Sequence, residues 1–151
     1  MKKVLVLSVL SVLFLANLAM ATAEGVGFYQ GAGIITYITP AGETRFESAT
    51  MKLEFEQAFE DSGLQVIFFS GKLGLSCQTF PNQELPVTGS LDSLSGNIHL
   101  TTKGFKVGRT DIPGTICSGL FNAVENKMRL ALTILGLGAT GNFVLEFTPY
   151  P

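Results

Sequence analysis

Residues 118–135, SGLFNAVENKMRLALTIL, decide the fold class. Read as a helix, the segment sets Phe121, Val124, Met128, Ala131 and Leu135 on one face and Asn122, Glu125, Asn126, Arg129 and Thr133 on the other. Ser118 would cap that helix and Gly136 would end it. Read as a hairpin, residues 120–124 turn at Glu125-Asn126-Lys127 into a strand over residues 128–135. Leu130 and Ile134 separate the two readings. They fall on the wrong face of the helix, but they join Met128 and Leu132 on one face of a strand, where side chains alternate. The hairpin is the preferred reading.

The same period of two extends to either side. Met51, Leu53 and Phe55 alternate with Lys52, Glu54 and Glu56, and Phe143, Leu145 and Phe147 alternate with Val144, Glu146 and Thr148. Val66-Ile67-Phe68-Phe69 is apolar on both faces and reads as a buried central strand. Residues 25–38 are long and apolar, with Gly27, Gly31 and Gly33 marking a bulge or bend. Glycine turn signals recur about every ten residues, as antiparallel hairpins require. They are Pro40-Ala41-Gly42, Asp61-Ser62-Gly63, Ser70-Gly71, Thr88-Gly89, Ser95-Gly96, Lys103-Gly104, Pro113-Gly114, Ser118-Gly119 and Thr140-Gly141. A hydroxyl-Gly-x-apolar-x-Leu pattern begins at Ser70, Ser95 and Thr140 and reads as one turn-to-strand unit used three times. The expected fold is all-β, an antiparallel β-sandwich or small barrel of short, Gly-punctuated strands. A helix near residues 119–135, or near 48–61 where Met51, Phe55, Ala58 and Phe59 also have helical spacing, would make it α+β.

Residues 1–23 read as a secretory signal peptide. Lys2 and Lys3 precede an apolar run, and Ala21-Thr22-Ala23 fits the cleavage pattern. The run is shorter than the ~20 residues a bilayer span needs. What remains, residues 24–151, is one exported domain, periplasmic or extracellular. Removing the two lysines takes the formal charge from −2 to −4. That balance argues against a nucleic-acid partner, and 46% hydrophobic content with 15% charge excludes a disordered chain.

Two cysteines, Cys77 and Cys117, lie in the exported part, where an even count favours a single disulfide between them. Two thiols and the distant His99 fall short of a metal site, so no metal is expected. Glu54, Glu56, Glu60 and Asp61 form the densest charge, a candidate cation-binding or acidic patch. Lys103, Lys106 and Arg109 form a candidate anion-binding loop. No nucleophile elbow, zinc-protease motif or phosphate-binding loop is present. The chain therefore reads as non-enzymatic and cofactor-free, a binding or structural module of the bacterial cell envelope or exterior. The alternatives are a periplasmic carrier of an apolar small molecule or lipid, for which the many phenylalanines would line a cavity, and a small outer-membrane β-barrel. The partners that fit are an apolar ligand, an envelope lipid or another envelope protein.

Overall fold

The computed structural model describes residues 27–61 and 63–151. The leader expected over residues 1–23 lies outside the described residues. Ten strands follow in order: β1 (Gly27–Ile38), β2 (Thr44–Asp61), β3 (Val66–Ser76), β4 (Gln83–Asp92), β5 (Asn97–Thr102), β6 (Phe105–Val107), β7 (Thr110–Ile112), β8 (Thr115–Asn122), β9 (Lys127–Ile134) and β10 (Ala139–Pro149). Eight of them close into an antiparallel barrel ordered β1-β10-β9-β8-β5-β4-β3-β2, while β6 and β7 pair only with each other. The fold is all-β, with no helix among the described residues. Residues 118–135 form the β8–β9 hairpin, with Phe121 opposite Met128, and residues 48–61 lie inside β2.

Alternation decides the sidedness of the wall. Met51, Leu53 and Phe55 on β2, Met128, Leu130, Leu132 and Ile134 on β9, and Phe143 and Leu145 on β10 all point inward and are buried. Followed once around the barrel, the strand register returns displaced by about ten residues, which tilts the strands by roughly 40°. A barrel of eight strands is just wide enough for side chains to fill it. Here rings do so. Tyr29 meets Phe55 and Phe121 edge-on at centroid distances of 6.0 and 5.9 Å, and Phe55 meets Phe69 at 4.6 Å and 88°.

Glycines make room for the rings. Gly71 lies across from Phe55, Gly89 across from Phe69 and Gly33 across from Phe143, so each bulky ring covers a residue without a side chain. At Gly71 a Cβ would come within 1.9 Å of the Glu54 carbonyl oxygen, so the strands approach more closely than any other residue permits. This corrects the sequence reading of the glycines. Ser70-Gly71, Thr88-Gly89, Ser118-Gly119 and Thr140-Gly141 are mid-strand and not turns, and of the three echoed segments only Ser95-Gly96 is a turn. Val66-Ile67-Phe68-Phe69 is corrected too: Ile67 and Phe69 are buried, but Phe68 faces outward and is exposed.

The turns that close one end share a different device. Asp61, Asp92 and Asn122 end their strands, and each side chain accepts two main-chain N–H groups of the following turn at 2.8–3.2 Å. Each turn ends on a left-handed residue: Gln65, Gly96 or Asn126. Tyr29 donates its hydroxyl to the Asn126 side-chain oxygen from inside the barrel, tying that end to the core.

Candidate functional site

The opposite end is built differently. Three short loops, residues 39–43, 77–82 and 135–138, meet there, together with the longer excursion 103–114 that carries β6 and β7. Thr102 and Thr115, at the two ends of the excursion, clamp it. Their hydroxyls lie 3.1 Å apart, and the Thr115 N–H donates to the Thr102 hydroxyl at 2.9 Å. Between the clamps the β6–β7 hairpin packs Phe105, Val107 and Ile112 against the core, with Ile112 fully enclosed. It lies as a strap over the mouth.

Between the strap and the mouth is a half-enclosed cavity of about 400 Å³. Ile38, Phe80, Val107, Ile112 and Leu137 give it an apolar lining, and Tyr37, Thr79 and Thr110 contribute hydroxyls. Beside it stands Glu47. Its carboxylate accepts the Tyr37 hydroxyl at 2.6 Å, the Thr79 hydroxyl at 2.6 Å and the Thr79 N–H at 2.9 Å, and the Cys77 thiol also donates to it. Burial alone would raise the carboxyl; these donors outweigh it and hold the group down at about 2, so Glu47 is ionised at any ordinary pH. The arrangement offers a compact ligand an apolar seat with hydroxyls at one side.

The disulfide expected between Cys77 and Cys117 is not formed; both cysteines are free and buried. Cys117 lies in β8 and faces the interior, with β5 and β4 between its strand and β3. Neighbouring strands are about 4.8 Å apart, so the two chains pass well beyond the ~7 Å limit for Cα atoms joined by sulfur. Cys77, in the loop after β3, turns to Glu47 instead. Burial raises both thiols, Cys117 to about 12.

The acidic patch is divided. Glu54 and Glu56 both lie by Lys72 on β3, but the bulge between Phe55 and Gln57 shifts the register beyond them. Glu54 is paired with Lys52 and accepts the Tyr150 hydroxyl at 2.6 Å, and these two bonds lower its carboxyl. Glu56 is 3.5 Å from Lys72, and Asp61 is spent on the amides of Gly63 and Leu64. Glu60 stands at the far end of β2. Among the described residues no three His, Cys, Asp or Glu side chains converge as a metal would require. Of the basic loop, Lys106 pairs with Asp111 across the strap at 3.3 Å, and Lys103 and Arg109 occupy opposite ends of that hairpin. The three cations do not converge. His99 points outward, between Ser90 and Ser118 of the neighbouring strands.

Sequence reading did not single out Tyr37, Glu47 and Thr79. One signal was available: in β2 the inward phase runs Glu47, Ala49, Met51, Leu53, Phe55, and a carboxylate in an apolar phase marks a polar site. No protein-family model, curated protein or solved structure matches the chain.

Proposed function

We propose that this chain is an exported, non-enzymatic binding module of the cell envelope or exterior, and that it seats a compact, mainly apolar ligand under the strap at the barrel mouth. The observation that carries the reading is the cavity of about 400 Å³ between strap and mouth, within the size range of small-molecule sites. The barrel axis is filled by side chains, so the ligand that fits is smaller than a lipid threaded along it. Export rests on the leader pattern of residues 1–23. The non-enzymatic reading is supported by Glu47, whose lone pairs are taken up by four donors and whose basicity is correspondingly low. A membrane barrel needs a polar lumen and an apolar outer belt. Here the inside is apolar, and Gln30, Glu84, Thr88, His99 and Arg129 face out, which favours an aqueous setting.

Titration with the neutral fluorophore 1-aminoanthracene tests the reading. Enhanced emission with saturable binding is expected, together with at least tenfold weaker binding after Thr110→Trp, which fills the cavity from the exposed strap. Equal binding by both proteins, or none by either, would overturn it.

A further inference from the structure

β2 is longer than the wall requires. It pairs with β1 over Thr44–Leu53 and with β3 over Thr50–Asp61. Past the bulge, residues 57–61 therefore keep β3 on one side and, among the described residues, no strand on the other. Continuing the β1–β2 register would set Phe55 opposite Gly27, where β1 begins, so the overhang starts at that point. Closure removes edges from a barrel only where every strand has two neighbours. Among the described residues a short edge therefore survives at 57–61, with the main-chain donors and acceptors of alternate residues facing outward along it.

The side chains around this edge are of two kinds. Phe59 and Phe68 pair across the two strands and are 68% and 45% exposed. Ala58 is exposed although its partner Phe69 is buried, since no strand of the described residues covers that margin. The charge is of one sign. Glu56, Glu60 and Asp61 lie on or beside the edge, and no Lys or Arg occurs between Lys52 and Lys72. Lys72 itself is shared between Glu56 and Glu84.

We infer that the open edge of β2 takes an extended polypeptide with alternating basic and apolar side chains, added as a further strand. Main-chain ladder bonds to residues 57–61 supply affinity; the apolar side chains on the face of Phe59 and the basic ones on the opposite face, meeting Glu60, supply selectivity. Charge also decides against the simplest rival. A second copy would set these carboxylates against their own kind across adjoining strands, where like charges destabilise. The edge lies at the end of the barrel away from the mouth cavity, so this inference stands or falls separately from the ligand reading.

The test uses the full-length chain and four dye-labelled, end-blocked heptapeptides: alternating Lys-Val, alternating Glu-Val, and two Lys-Val peptides with alternate amides N-methylated, one in each phase. Anisotropy at low salt is expected to show saturable binding of Lys-Val, none of Glu-Val, and at least tenfold weaker binding for the N-methylated phase that blocks the ladder. Hydrogen exchange should slow at residues 57–61 on binding. Glu60→Lys should weaken binding about two- to fivefold, as loss of one exposed charge contact does, while Glu125→Lys in the β8–β9 turn should leave it unchanged. Equal binding of both N-methylated phases would reduce the effect to charge alone and overturn the inference. So would full protection of residues 57–61 in the free chain, since the edge would then be filled by the chain's own upstream residues or by a second copy.

Discussion

Replacing Glu47 with Gln tests the network at the mouth with almost no change of shape. The carboxylate presents acceptors only, and it receives the Tyr37 hydroxyl, the Thr79 hydroxyl, the Thr79 N–H and the Cys77 thiol. A glutamine keeps one oxygen and turns an NH₂ toward the remaining donors. If its oxygen serves the two hydroxyls, the Thr79 N–H faces another donor; if the amide flips, its oxygen keeps the Thr79 N–H and its NH₂ donates to the hydroxyl oxygens, which then lose the acceptor for their own hydrogens. The Thr79 groups are exposed, so water takes up part of the loss, and leaving one without its partner costs about 1 kcal/mol. The titration of Glu47 gives a second route to the magnitude. Its carboxyl is held at about 2 against an ordinary 4.5, and after allowance for the partial exposure of the group this corresponds to about 1–2 kcal/mol. The expected loss at pH 7 is therefore about 1–2 kcal/mol, a fall in Tm of roughly 3–10 °C for a domain of this size. The sign with pH is fixed: a depressed folded-state pKa stabilises above the unfolded value and loses its contribution as pH falls through the folded one. The gap between wild type and Glu47→Gln should thus be constant above about pH 5 and close between pH 4.5 and 2. Calorimetry or circular dichroism across that range checks it. A gap that stays the same down to pH 2.5, or a Gln variant as stable as wild type at pH 7, would refute the role given to the carboxylate.

Two further outcomes follow from the packing. In Gly119→Ala the new Cβ would lie 1.8 Å from the Arg129 carbonyl oxygen, so β8 and β9 must part, at a cost of about 3 kcal/mol in chemical denaturation; Gly42→Ala, in an open turn at φ +83°, should lose only about 1 kcal/mol of backbone strain. Cys77 and Cys117 should be inert to a disulfide reagent at pH 8 in the native protein and titrate as two thiols in guanidinium without reductant, whereas fewer than two would mean a bridge.

The alternation of Met51, Leu53 and Phe55 and of Met128 through Ile134 was legible because a strand's two faces are written in its period, and that pattern carried the all-β fold and the β8–β9 hairpin. The roles of the glycines were not. Ser70-Gly71 and Ser95-Gly96 are the same dipeptide, yet only the second turns; the first is needed because barrel closure brings Phe55 over it, and register between distant segments is not a local property. The turn device that does repeat, an Asp or Asn followed four residues later by a left-handed residue, was present at Asp61, Asp92 and Asn122 but is hidden when glycine alone is taken as the marker. The disulfide failed for a related reason: two cysteines in one chain give a count, while a bond needs adjacency, and two strands intervene. Of the site, Glu47 alone was readable, through its phase; Tyr37 and Thr79 reach it only after β1, β2 and the loop beyond β3 have been brought together.

The two ends of the barrel are built by different rules. At one end three turns repeat the same short Asp or Asn chemistry and are stitched to one another and to the core, with Ser93 bonding the Gln65 carbonyl at 2.8 Å and Tyr29 reaching Asn126. The overhang of β2 is the main departure of that end from closure. At the other end the loops differ in length and one has strands of its own. A loop that buries Ile112 and part of Phe105 loses conformational freedom that a short turn would not, and it is kept in place by dedicated clamps at Thr102 and Thr115. Packing alone does not call for this, since the barrel interior is already filled by rings from all around the wall. Under the proposed ligand reading the strap has a purpose: it covers a hydroxyl-edged cavity beside an ionised carboxylate, and loops held by a rigid scaffold are where binding commonly resides.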